Sequence, residues 1–291
     1  MEEKLSYKLI VIHMSPDLDA VMGVWMLRRF DEEHCGQAVV DFVPAGTKMD
    51  NAQVAKRGVV SDEVAHVDTG GGRFDHHTQE LALERVCAAS LVRDYLIEIH
   101  PELEEDEALA RMSAFAVEID HFGEIDWPEP NADRYLFQLD EVLKNLKSVG
   151  KSDLEVVEFG GLALDAVYGG FGVRVEAEEE LGRGIEFESP WGRALGMQTS
   201  NDEVIKFGQK SGYVLVVRKD PDVGNIRIKA VPDKKIDLTE IYEKIMSLDL
   251  EATWYLHPAK TMLLNGSRKH QGQVPSKLSL QEVIDLIKSA K

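Results

Sequence analysis

The sequence predicts an α/β protein in two parts. A parallel-sheet domain flanked by helices is expected over residues 1–182, and a smaller α+β domain over 183–291. Short β-branched runs alternate with amphipathic stretches through the first part, the order that builds a parallel sheet with helical crossovers. After Gly182-Arg-Gly184 the texture changes to closely spaced strands and turns. Charge divides at the same place: residues 183–291 carry 17 Lys and Arg against 14 Asp and Glu, whereas 1–182 carry 16 against 38.

Each element follows from local signals. The apolar run Leu9 to Ile12 leads into His13, while Pro16 and Asp17 stand where a helix start wants them. Tyr7 to His13 therefore reads as a strand and Ala20 to Phe30 as a helix. The β-branched stretch Ala38 to Val43 ends at Pro44-Ala-Gly46 and reads as a second strand. Val64 to Asp68 is a short third strand, stopped by Thr69-Gly-Gly-Gly72, whose glycines let backbone approach a ligand closely. Helices are expected over 83–99, 107–122, 133–148 and 153–181, the last tolerating Gly160 and Gly161 at some cost. In the second part, strands are expected at 185–187, 193–195, 213–218 and 225–230. A helix near 238–247, a strand pair around 254–264 and a helix at 278–289 complete it.

Composition narrows the function. With 29% charged and 44% hydrophobic residues, the chain is ordinary for a soluble globular protein. No apolar run reads as a membrane span, and Met1-Glu-Glu-Lys4 lacks the order of a signal peptide. Two distant cysteines, Cys35 and Cys87, form no metal spacing, so a reducing cytoplasm is the expected home. A body of net charge −19 would repel a long nucleic-acid duplex, whose affinity comes mainly from neutralised phosphates.

Four places offer metal-type ligands: His13/Asp17/Asp19, Asp68, Asp75-His76-His77 and Asp120-His121. Three lie in or beside loops that follow strands, where open α/β sheets bind ligands. Taken singly, Asp17 is an N-cap and Asp19 a first-turn acid favoured by the helix dipole. Taken together, carboxylates with imidazoles and no thiolate suit two divalent ions, Mn²⁺ or Mg²⁺ ahead of Zn²⁺.

These residues carry a resemblance. His13-Met-Ser-Pro-Asp-Leu-Asp-Ala20 resembles the first motif of the DHH phosphoesterase superfamily, with Leu18 where a glycine is common. Asp68 matches the second motif, Asp75-His76-His77 the third, and Asp120 stands where the fourth motif's aspartate falls. Within the superfamily the likeness is to the metal-dependent hydrolase and RNA-exonuclease-like branch, where a glycine-rich run lies close before the DHH. The glycine-glycine-glycine-histidine signature of the usual second domain is absent, and Asn265-Gly-Ser-Arg-Lys-His270 is its candidate counterpart.

The resemblance implies a DHH-type domain and a two-metal hydroxide attack on a phosphodiester. One ion would take His13, Asp17 and Asp68, and the other Asp19, Asp68, His76 and Asp120, with Asp68 bridging. His77 would contact the substrate phosphate and Asp75 would orient an imidazole. Expected substrates are short single-stranded RNA, nucleotides or phosphorylated small molecules, with Mn²⁺ the expected cofactor and a homodimer admissible. Arg73, His257, Lys260, Asn265, Gly266, Ser267, Arg268, Lys269 and His270 are weaker candidates for holding phosphate, and the second domain is expected to close over substrate. His121 is more ordinary as a helix-end residue, and His66 as a buried, satisfied histidine. The rival readings are a non-catalytic metal- or nucleotide-binding regulator on the same fold, or a phosphoanhydride hydrolase.

Overall fold

The computed structural model describes residues 6–81, 83–266 and 272–290. They form two compact units, Met1–Phe171 and Gly172–Lys291.

The first unit is built on three parallel strands, β1 (Leu9–His13), β2 (Val39–Val43) and β3 (Val64–His66). Their order is β2-β1-β3, with Leu9 beside both Val39 and Val64 and His13 beside Val43. Central β1 is apolar on both faces, as a strand covered on both sides requires. Between the strands come α1 (Leu18–Phe30), α2 (Glu32–Cys35) and α3 (Asn51–Lys56). After β3 the chain runs through α4 (Ala88–Ile99), α5 (Glu107–Asp120), α6 (Leu139–Ser148) and α7 (Asp153–Leu181). Ile10 and Ile12 of β1 face a core with Met22, Met26, Val92, Leu96, Leu109 and Met112. The opposite face packs Leu9 and Val11 against Val43, Met49 and Val54.

The second unit carries a six-stranded sheet in the order β4-β5-β6-β7-β9-β8. Its elements are β4 (Ile185–Ser189), β5 (Gly192–Gln198), α8 (Glu203–Lys210), β6 (Leu215–Lys219) and β7 (Ile226–Ala230). Then follow α9 (Thr239–Leu248), β8 (Trp254–Leu256), β9 (Met262–Asn265) and α10 (Leu280–Lys288). Among the described residues of this sheet, only β5 and β6 pair in parallel, through the crossover that contains α8. Ile241, Ile245, Val283, Ile284 and Ile287 cover the sheet from α9 and α10.

Several elements differ from the sequence reading. The division between units falls within α7, because Ala177 and Leu181 on its last turns pack with Leu195, Met197, Val204 and Val216. The helix expected from residue 83 begins only at Ala88. The stretch 133–148 breaks at Gln138, whose extended backbone separates a short 3-10 turn, Asp133–Phe137, from α6. Three short helices, α2, α3 and α8, were not expected; Asp50 and Gln53 start α3 with a reciprocal capping box. α7 bears on the membrane reading. Among the described residues it is long and apolar enough to cross a bilayer by length and composition, a test that core helices also pass. Its length was expected, whereas its glycines and scattered acids mask its mean hydropathy.

Candidate metal centre

The site lies where β1 and β3 end. Past His13 the chain turns through Ser15, with φ 57°, and enters α1 at Asp17, whose Oδ1 accepts the N–H of Ala20 at 3.2 Å. Past β3, Val67 bridges to Phe74, and Asp68 between them adopts the left-handed region at φ 56°. That conformation is costly for a non-glycine residue and needs support, which comes partly from the Asp68 N–H donating to the carbonyl of Phe74 at 2.9 Å.

The intervening loop folds around Asp75. Gly70 and Gly71 have φ of 81° and 63°. The N–H of Gly71 donates to Asp75 Oδ2 at 2.7 Å, while Oδ1 accepts the His77 N–H at 3.0 Å and meets His77 Nδ1 at 3.0 Å. Asp75 is thereby committed to holding the loop and one imidazole. At Gly70 a Cβ would come within 2.8 Å of the His66 ring, so the loop can lie there only as glycine. His66 itself is buried, and its Nε2 accepts the N–H of Met49 at 3.2 Å, the satisfied histidine expected.

Three groups of possible ligand atoms converge, each with its atoms within 4.8 Å of one another: His13/Asp17/Asp68, Asp19/His76/Asp120 and Asp68/His76/His77. Asp68, 4% exposed, is shared. Its Oδ2 lies 3.1 Å from His13 Nε2, and its Oδ1 lies 3.4 Å from His76 Nε2. His76 Nε2 also stands 3.6 Å from Asp120 Oδ2 and 3.8 Å from Asp19 Oδ2. Asp68 Oδ1 and His76 Nε2 are both buried without a hydrogen-bond partner. Two orphaned polar atoms facing one another among carboxylates fit a cation that both would ligate.

The electrostatics agree. Burial pulls the His13 imidazole down, but Asp17 and Asp68 outweigh it and carry its pKa to about 11. Asp68 raises His76 to about 9 against the opposing effect of burial. Burial and the neighbouring Asp68 push Asp19 up to about 7. Burial also raises Asp120. Without a metal, protons on two imidazoles partly neutralise the carboxylates.

Asp19 has a second commitment. Its Oδ2 accepts the N–H of Ala88 at 2.7 Å and its Oδ1 that of Ala89 at 2.8 Å. It therefore caps α4 from across the fold, and the helix starts where that carboxylate meets it. Cys87 and Cys35 are buried free thiols.

Other sequence candidates are placed elsewhere. Arg73 pairs with Glu98 and lies 4.6 Å over the Tyr95 ring. His121 is the exception: its Nε2 lies 3.0 Å from the carbonyl of Val86 and 3.9 Å from Asp120 Oδ2. In the second unit, His257 Nδ1 accepts the N–H of Ala259 at 3.1 Å, and Lys260 pairs with Asp237 at 2.7 Å. Asn265 is fully buried: Nδ2 donates to the carbonyls of Thr253 and Val274, and Oδ1 accepts the N–H of Ser276. Its amide joins β8, β9 and the segment before α10. Gly266, at φ 70°, lies so close to Asn225 that a Cβ would come within 2.5 Å of Oδ1. Ser267, Arg268, Lys269 and His270 lie outside the described residues. Among the described residues, the convergent groups contain only positions singled out in the sequence.

No family model and no curated protein sequence matches the chain. Among solved structures, it is similar to an exonuclease RecJ bound to manganese, at 13% identity and TM-score 0.35, covering 97% of this chain and 89% of that one. A DHH domain from a member of the s1p family of ribosomal proteins is similar at 12% identity and TM-score 0.32, covering 96% and 85%. RecJ from Thermus thermophilus in complex with Mn²⁺ is similar at 12% identity and TM-score 0.33, covering 97% and 52%. The resemblance to the DHH phosphoesterase superfamily stands on the four ordered motifs and on their convergence at the ends of β1 and β3.

Proposed function

We propose that the chain is a divalent-metal-dependent phosphoesterase that hydrolyses phosphodiester bonds of short RNA or nucleotides. The observation that carries this reading is Asp68, whose two oxygens face two different ligand groups, with Oδ1 and the opposing His76 Nε2 lacking any hydrogen-bond partner. His13, Asp17 and Asp68 would hold one ion, and Asp19, Asp68, His76 and Asp120 the second. Mn²⁺ or Mg²⁺ suits this oxygen-rich set with two imidazoles. When bound, such a pair supplies a water of lowered pKa and neutralises charge on phosphoryl oxygens.

The chain's own residues set up the rest. Asp75 fixes the His77 ring by accepting from Nδ1, which leaves Nε2 to face the substrate; with both ring nitrogens protonated, Nε2 would donate to a phosphate oxygen. His77 has a side chain 61% exposed, as a group that meets an incoming substrate must be. The strongly acidic first part of the sequence favours a short substrate over a long polyanion.

The test is Mn²⁺-dependent product release from a panel of a short RNA oligomer, pApA, bis-p-nitrophenyl phosphate and pyrophosphate. Asp68→Asn and His76→Ala serve as controls. Mononucleotide release that both substitutions abolish supports the nuclease reading. Turnover of pyrophosphate alone would replace it with a phosphoanhydride hydrolase, and stoichiometric metal with no turnover would replace it with a regulator.

A further inference from the structure

Beside the proposed metal centre the first unit has an open cleft of about 490 Å³ whose lining residues belong to none of the convergent ligand groups. Leu83, Arg85, His121, Phe122 and Ile125 line it. Both walls are pinned to residues of those groups. One continues from Asp120, the last residue of α5, through His121 and Phe122. The other leads into α4, whose Ala88 N–H donates to Asp19 Oδ2 at 2.7 Å. His121 joins the two walls by donating Nε2–H to the carbonyl of Val86 at 3.0 Å. A ligand in the cleft therefore lies next to the group formed by Asp19, His76 and Asp120.

Phe122 is oddly chosen for a structural residue. It follows His121, the C-cap of α5, and has φ 57°. Helix ends usually give that position to glycine, because an L side chain is strained there. Here Gly123 stands one residue later instead. The phenyl ring is 70% exposed, and Leu83 and Ile125 are exposed with it. A strained backbone that holds an apolar ring in water costs the free protein twice, the mark of a side chain kept for a ligand.

Arg85 is an independent observation. Asp and Glu outnumber Lys and Arg by 38 to 16 over residues 1–182, yet Arg85 is exposed and takes part in no ion pair among the described residues. Glu84 and Asp126 also reach the cleft without pairing with it. A ring, a planar guanidinium and free carboxylate acceptors around an opening of small-molecule size suit a nucleobase, which is flat and apolar on its faces and carries N–H donors at its edge.

We propose that this cleft is a nucleobase subsite, in which a nucleotide with its phosphate at the metal centre rests its base on the Phe122 ring and the Arg85 guanidinium. The assignment rests on the phosphoesterase reading of that centre and concerns the part of the substrate that the ligand groups do not touch.

Isothermal titration of the full-length protein in Mn²⁺ with AMP, and separately with ribose 5-phosphate, isolates the base. AMP is expected to bind about tenfold more tightly or better. Phe122→Ala and Arg85→Ala should each remove about that factor, and Phe122→Trp should keep it. Phe122→Gly should weaken AMP binding in the same way while raising the melting temperature, because glycine relieves the left-handed strain. A lowered melting temperature with AMP binding intact would mean that the ring serves packing, and would overturn the subsite. Equal affinity for the two ligands, or AMP binding indifferent to the variants, would overturn it and leave the metal-centre reading standing. If neither ligand bound, the metal-centre reading would fall and the subsite with it. A dimer by sedimentation that Phe122→Ala dissociates would assign the exposed ring to a second copy of the chain instead.

Discussion

Asp19 of helix α1 accepts the backbone N–H of Ala88 at 2.7 Å and so sets the first residue of helix α4, 69 positions later in the chain. The same carboxylate, through the same Oδ2, stands 3.8 Å from His76 Nε2 in a convergent ligand group. Packing and candidate chemistry therefore meet on one side chain, and its removal has to show in both.

Asp19→Ala should destabilise the protein even in the presence of chelator. Two helix-start amides lose their acceptor, a loss worth about 1–3 kcal/mol. Asp19→Asn keeps one acceptor oxygen and should lose less. Thermal melts of the two variants in EDTA check this; equal and negligible losses would refute the capping role.

Asp68→Asn should lower metal stoichiometry and cut turnover by about 10²-fold or more, because an amide offers one oxygen where the carboxylate faces two groups. Metal content per chain after dialysis against Mn²⁺ gives the stoichiometry directly. An unchanged metal count would remove Asp68 from the shared position.

Gly70→Ala should cost about 1 kcal/mol or more in stability, since residue 70 lies at φ 81° and its new Cβ would meet the His66 ring at 2.8 Å. The strain falls on the loop that carries Asp68 and Asp75, so Mn²⁺ affinity should weaken too. Calorimetry of this variant beside Gly71→Ala separates the effects. Residue 71 is also left-handed, at φ 63°, but nothing lies within 4 Å of its Cβ position.

Stability of the metal-free protein should fall as pH rises from about 6.5 towards 9. The folded pKa of His76, about 9, and that of His13, about 11, both exceed the unfolded histidine value. Their contribution is complete below the unfolded value and is lost as pH climbs through the folded ones, His76 first. Asp19, raised to about 7, adds a slope of the same sign at lower pH, because the folded state holds its proton longer. Saturating Mn²⁺ should reverse the trend, since metal displaces those protons and binds better as pH rises. Urea melts at several pH values, with EDTA and with Mn²⁺, would expose a wrong sign.

Much of this was legible in the sequence where the determinants are local. Strand β1, the entry into α1 at Asp17 and the glycine loop before Asp75 follow from neighbouring residues. The start of α4 differs from the expectation because Asp19 caps it from across the fold, and the local mark is slight, a single Ser90 hydroxyl accepting the Cys87 N–H at 2.9 Å. The short helices α3 and α8 have too few turns for a clear 3.6-residue period. For Asn265, the residue type suggested a ligand contact, whereas burial committed its amide to three backbone groups.

The double duty of Asp19 bears on how this protein's evolutionary descendants could be read. A lineage that gave up metal would still need that carboxylate to start α4, and Asp17 to start α1. Both aspartates could outlive the chemistry, leaving the first motif intact in a silent homologue. His76, whose Nε2 makes no hydrogen bond, would forfeit only its ion pairs with the neighbouring carboxylates and is less tied to the fold than either aspartate. Between an enzyme and its inactive cousin, position 76 is the more informative place to look.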